Sequence, residues 1–144
     1  MQLNLQHSIK THLEAETGIP VIWVYDGVKL PAEKPFITIE QMQNNNEIIS
    51  KLRESIQTTY RFQVGLHANS ASERSRKQEE IQQIFLFAEM ELLDAATPGK
   101  SLGFFNTNLT AEVPMPADDL SDKTSYHRVY FDIEVDMTFN RRRL

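Results

Sequence analysis

Every second residue from Val129 to Phe139 is apolar, and that alternation constrains the fold more than any other feature. Residues 126–139 read Tyr-His-Arg-Val-Tyr-Phe-Asp-Ile-Glu-Val-Asp-Met-Thr-Phe. Val129, Phe131, Ile133, Val135, Met137 and Phe139 share one phase, and Tyr130, Asp132, Glu134, Asp136 and Thr138 share the other. Successive side chains of a strand point to opposite faces, so this is one long strand with an apolar and an acidic face. The apolar face must be covered by a helix or a second sheet. The acidic face must meet water or a partner that tolerates charge.

A length of 144 residues suits a single domain spanning 1–144. Hydrophobic residues make up 40% and charged residues 24%, which is ordinary for a globular protein and supports one core. With no cysteine, disulfides, thiolate metal sites and cysteine nucleophiles are excluded, and a reducing compartment suits the chain. The start, Met-Gln-Leu-Asn-Leu-Gln-His, does not read as a secretory signal, and no stretch approaches 18 apolar residues. Net charge is −5, and becomes −8 without Arg141, Arg142 and Arg143. An acidic body argues against general nucleic-acid binding, which needs a surface that neutralises phosphate.

Leu5, Ile9 and Leu13 recur at helical spacing before Gly18 and Pro20, which predicts a helix over 3–16. Val21-Ile22-Trp23-Val24-Tyr25 before Asp26-Gly27 reads as a strand and turn. Pro31 and Pro35 bracket a loop, and the β-rich run 36–42 reads as a strand. Asn44, Asn45 and Asn46 signal a turn, since Asn tolerates left-handed backbone angles. Residues 43–53 are either an extended hairpin tip or a short helical turn, and are expected to be mobile until a partner orders them. Ile56, Thr58, Tyr60, Phe62, Val64 and Leu66 share one strand phase, so a long strand is predicted over 54–68. Ser70 and Glu73 fit a capping box at the start of a helix that runs to about residue 94, with Thr97-Pro98-Gly99 beyond it. One strand over 102–113, an acidic loop over 117–124 and the closing strand complete the order α-β-β-β-α-β-β.

The predicted fold class is α+β: a mixed or antiparallel sheet with a long hairpin, packed against a central helix and an N-terminal helix. On the central helix, Ile81, Ile84, Phe85, Ala88 and Leu92 form a stripe for the sheet. Leu86, Phe87, Met90 and Leu93 lie elsewhere around the same turns. A helix apolar all round is buried on more than one side, either under the domain's own loops or against another subunit; in the second case these four are candidates for a subunit interface, with Asn44, Asn45, Asn46 and Arg53 of the hairpin as further contacts.

Chemistry-bearing motifs are sparse. His7, His12, His67 and His127 show no ligand spacing, although His67 and His127 are placed to meet across adjacent strands. Asp132, Glu134 and Asp136 share a strand face without a second cluster, so they read as a charged surface rather than an acid–base or metal site. No Gly-x-Ser-x-Gly, phosphate loop or dinucleotide fingerprint occurs. Trp23, Tyr25 and Phe36 have no interleaved basic residues and read as core rather than as a platform for bases. The residues thus point away from an enzyme and from any cofactor.

The order of parts resembles the tail terminator, or tail-to-head joining, proteins of long-tailed bacteriophages and their prophages. The pieces that carry it are Leu5 to Leu13 and Leu30-Pro31-Ala32-Glu33-Lys34-Pro35-Phe36-Ile37-Thr38-Ile39-Glu40. Tyr60-Arg61-Phe62-Gln63-Val64-Gly65-Leu66-His67, the helix after Ser70, and Tyr130 to Phe139 complete the set. It spans nearly the whole chain as a pattern of elements, and a fold pattern alone does not settle function. The resemblance implies a virion protein, assembled in the host cytoplasm, that forms a ring of six copies. Such a ring caps the tail tube protein and meets a head-completion or connector protein, while DNA passes through without specific binding. Asp132, Glu134 and Asp136 would then belong to a lumen that repels phosphate. Two other classes remain: a head-completion or other connector ring protein, and a small-molecule-binding α+β domain, which would need a pocket with convergent polar groups.

Overall fold

The computed structural model describes residues 1–25, 27–50, 54–115 and 127–140. The elements in chain order are α1 (Gln2–Thr17), β1 (Val21–Trp23), β2 (Phe36–Gln41), β3 (Asn45–Ile48), β4 (Ser55–Ala68), α2 (Ala71–Phe87), β5 (Met90–Leu93), β6 (Ser101–Phe105), β7 (Asn108–Met115) and β8 (His127–Asn140). The class is α+β, as the alternation predicts. Arg53, the acidic segment 117–124 and Arg141 to Arg143 lie outside the described residues.

A six-stranded sheet carries the fold, in the order β1-β2-β4-β8-β7, with β3 also on β4. β1 runs parallel to β2, and the other pairings are antiparallel. β4 and β8 pair along all their residues, from Ser55 opposite Asn140 to Ala68 opposite His127. Beside β4, β2 takes the Phe62–His67 stretch and β3 takes Ile56 to Thr59. The register puts Tyr60, Phe62, Val64 and Leu66 on one face with Val129, Phe131, Ile133 and Val135, all buried.

Both helices lie on that face. Leu5, Ile9 and Leu13 bury one side of α1, which ends where Gly18 takes φ 69° and donates its N–H to the Glu14 carbonyl. Ser70 caps α2 by accepting the Glu73 N–H at 3.1 Å, while the Glu73 carboxylate accepts the Asn69 N–H at 2.8 Å. Ile81, Ile84 and Phe85 face the sheet, with the Phe85 ring edge-on to Phe131 at 5.9 Å.

The structure differs from the sequence reading in four places. The central helix stops at Phe87, not near 94, because Ala88 is extended (φ −76°, ψ 134°) and the chain enters β5. Met90 and Leu92 are buried on that strand, and the amides of its Leu93 and of Ala95 just beyond it donate to Ser8 Oγ (2.8 Å) and Asn4 Oδ1 (3.0 Å) of α1. The predicted strand over 102–113 is two strands in different sheets, β6 pairing β5 and β7 pairing β8. Between them Thr107 turns inward and donates to the Phe85 carbonyl at 2.8 Å. Asn45 and Asn46, expected in a turn, open a strand instead, so residues 45–48 take the extended form of the two alternatives for that region. Tyr25 is exposed rather than core.

Candidate functional site

Two surfaces stand out: the polar face of the sheet and a set of bared apolar side chains.

The polar face is a ladder of cross-strand pairs. Register sets the odd-numbered residues of β4 against the even-numbered residues of β8. Ser55 Oγ donates to Asn140 Oδ1 at 2.6 Å, and Thr59 Oγ1 to Asp136 Oδ1 at 2.7 Å. Arg61 Nε meets Glu134 Oε1 at 3.0 Å, and Gln63 Nε2 approaches Asp132 Oδ1 at 3.4 Å. Each carboxylate of the acidic strand thus has a donor opposite it, which is why three acids can stand in a row on one strand. Met42, Arg61, Gln63, Thr110, Asp132 and Glu134 line a shallow trough of about 340 Å³ across this face. Its polar groups are turned on one another, with Thr110 Oγ1 donating to the Asp132 carbonyl at 3.0 Å. The face is charged but internally matched.

Farther along the same face the ladder gives way to an aromatic cluster. The His67 ring stacks on Phe36 at 4.5 Å and meets the edge of Tyr130 at 6.2 Å. Gly65 leaves room for this: a Cβ there would stand 2.6 Å from Thr38 Oγ1 and 2.9 Å from the Tyr130 ring. His67 lies opposite Arg128, not His127, so the two histidines do not pair across the strands. Burial pushes the His67 pKa down from 6.5 to about 4, and the positive charges of Lys34 and Arg128 push the same way. The folded chain therefore holds His67 neutral, a contribution present above pH 6.5 and lost as pH falls toward 4. Stability should drop on the order of 3 kcal/mol across that window. A His67→Phe variant, measured by urea unfolding at pH 7 and pH 4.5, should lose most of this dependence; an unchanged slope would refute the assignment.

The apolar surface has two parts. One is an arm. Fourteen-residue strands run about 48 Å, whereas helices of 16 and 17 residues run about 25 Å, so β4 and β8 outreach the helices. In that overhang Ile48, Ile56 and Phe139 lie opposite one another across β3, β4 and β8, on the face that forms the core elsewhere. Ile48 is 54% exposed and Phe139 38%. The other part adjoins the end of α2, where Leu86 and Phe87 are exposed, Phe87 at 76%. The β5–β6 ribbon follows, with Glu91 opposite Phe104 on its outward side and Leu102 exposed nearby.

The residues singled out from sequence distribute unevenly over these surfaces. Leu86 and Phe87 are exposed at the helix end. Met90 is fully buried against the chain's own core, so it does not belong to an outward surface. Leu93 is half-buried on β5, its backbone held by Ser8. Asn44 is engaged within the protomer, donating to Gln2 Oε1 at 2.8 Å and accepting from the Arg61 N–H, and Asn46 accepts from Thr58. Asn45 is exposed on β3. Ile48, Leu102 and Phe104 were not singled out, and Phe139, read from sequence as part of the covered apolar face, is exposed; their exposure depends on where the helices end, which no local pattern shows.

No protein-family model matches this chain, and neither does any curated protein sequence. Among the described residues no three His, Asp or Glu side chains converge to hold a metal, and no helix is long and apolar enough to cross a membrane.

Proposed function

We propose that this chain is a structural assembly protein that forms a closed ring of identical copies, with the tail terminator of a long-tailed phage as its closest functional description. The observation that carries the reading is the arm. Its apolar row Ile48, Ile56 and Phe139 continues the core face beyond the helices, with Ile48 and Phe139 exposed and Ile56 half-buried between them. The second exposed surface, Phe87 and Phe104, is unlike the first. Two unlike patches that fit each other make a head-to-tail contact, which closes into a ring when the rotation allows. Stable contacts bury about 800 Å² per partner, within the range of a three-stranded arm laid on a helix end and ribbon.

The polar face supports the same reading. Its carboxylates and donors satisfy one another and present no convergent set for a small substrate. Net negative charge suits a passage through which DNA moves without binding. The phage assignment and the number six are what the resemblance to tail terminator proteins implies. In this reading the ring stops tube growth and presents its other side to the head connector.

The test is to add the purified protein to polymerising tail tube protein. Tubes of limited length, each ending in a bound ring, are the expected result. Rings that ignore tubes and bind head connectors instead would move the protein to the head side of the joint. Tubes of unchanged length with no bound protein would remove the terminator role.

A further inference from the structure

We propose that the arms of neighbouring copies join edge to edge, β3 of one copy adding as a parallel strand to the open edge of β8 in the next. This rests on the ring reading and deepens it: the apolar face of the arm stays available for a neighbour's helix end, and the edges fix which strand meets which.

The arm has two unlike open edges. β7 pairs with β8 only from Arg128 to Glu134, whereas β4 pairs with it as far as Asn140. On its other side β4 holds β3, whose residues Asn45 to Ile48 are all exposed. Among the described residues no strand pairs with the outer side of β3, or with β8 past Glu134 on the β7 side. Edges of this kind, with unpaired amides and carbonyls, take up a further strand.

Existing bonds show which backbone groups are open. The Asp132 carbonyl accepts from Thr110 of β7, so even-numbered residues of β8 turn their backbone groups to that side. Past Glu134 this leaves Asp136, Thr138 and Asn140. The Ser55 and Arg61 carbonyls accept the Ile49 and Met42 amides, so odd-numbered residues of β4 bond toward β3. Asn45 and Glu47 answer them, and Asn46 and Ile48 turn outward.

Side-chain faces then set the direction. In an antiparallel contact two outward-turned residues stand opposite each other with side chains on one face, which would put Ile48 beside Thr138 on the polar face. In a parallel contact an outward-turned residue lies beside an inward-turned one. Ile48 then falls beside Phe139, and the row Ile48, Ile56 and Phe139 runs on into the next copy. Rotation about an axis along the arm gives the same answer, since β3 and β8 both run antiparallel to β4. Charge fixes the register. With Ile48 beside Phe139, Glu47 meets Thr138 and Asn45 meets Asp136; a shift of two residues would set Glu47 beside Asp136, a repulsive pair.

The chain has no cysteine, so engineered thiols report on this contact alone. Glu47→Cys and Thr138→Cys place one thiol on each edge, both at exposed positions. Within one copy β4 separates them by two strand spacings, about 10 Å, too far for a disulfide. Under mild oxidation the double variant should give covalently closed oligomers. A mixture of the two single variants should give covalent pairs, and neither single variant alone should. A third variant, Thr138→Pro, removes only an outward N–H. It should keep its melting temperature and self-associate at least tenfold more weakly in sedimentation velocity. Covalent pairs of Thr138→Cys alone would mean that like edges meet, which overturns the proposal. Rings that form without the cross-link, or a Thr138→Pro chain that associates as the wild type does, overturn the edge pairing and leave the ring reading in place. A wild-type chain that stays monomeric at every concentration overturns both.

Discussion

Phe131→Ala is expected to destabilise the protein by about 3–5 kcal/mol. Phe131 is fully buried on β8, its ring edge-on to Phe85 of α2. It is thus the point where the sheet and the central helix meet. Truncation loses the transfer free energy of the ring and leaves a cavity that neighbours on two rigid elements cannot close. Ile133, one step along the same face, should cost about 2–5 kcal/mol on replacement by Ala. Equilibrium urea unfolding measures both. A loss under about 0.5 kcal/mol for Phe131 would mean that the β8 face and the α2 stripe do not form the main core.

Aspartate at two neighbouring apolar positions should produce opposite outcomes. Met90→Asp places a carboxylate at a site with 0% exposure, among the core residues packed on α1. An unpaired buried charge costs several kcal/mol, so this variant should be largely unfolded at 25 °C. Phe87→Asp sits three residues earlier and 76% exposed, and its effect on folding should stay within about 0.5 kcal/mol. What Phe87→Asp should lose is self-association. Circular dichroism separates the first variant from the second, and sedimentation separates the second from the wild type. A folded Met90→Asp chain would contradict the placement of β5. A Phe87→Asp chain that still forms rings would remove the helix end from the interface.

Those two positions also show what was legible in the sequence. The alternation through β8 and β4 was readable because each strand buries most of one face, Thr58 to Leu66 on β4 and Val129 to Val135 on β8, so tertiary packing and local pattern agree there. The caps of the helices were readable for the same reason, Ser70 and Gly18 acting on their own neighbours. The end of α2 was not. Ala88 and Leu92 stand four apart and continue a helical stripe, yet Glu89, Met90, Glu91 and Leu92 also alternate polar and apolar. That second pattern was the signal of a strand. It prevails because Ser8 and Asn4 of α1, some eighty-five and ninety-one residues away, take the backbone amides of Leu93 and Ala95. The acidic row on β8 was legible as a row, but its partners on β4 were not, because register between strands seventy residues apart is a property of the whole sheet. The bared Ile48 and Phe139 depend on strand length exceeding helix length, which likewise appears only once the layers are stacked.

Sedimentation velocity of the wild-type chain over a wide concentration range tests the ring claim most directly. The expected result is a monomer of 16.6 kDa in exchange with one discrete larger species, near six chains in mass, with no ladder of ever-longer polymers. That species should appear as closed rings in electron micrographs. A single 16.6 kDa species at every concentration, with and without tail tubes, would contradict it.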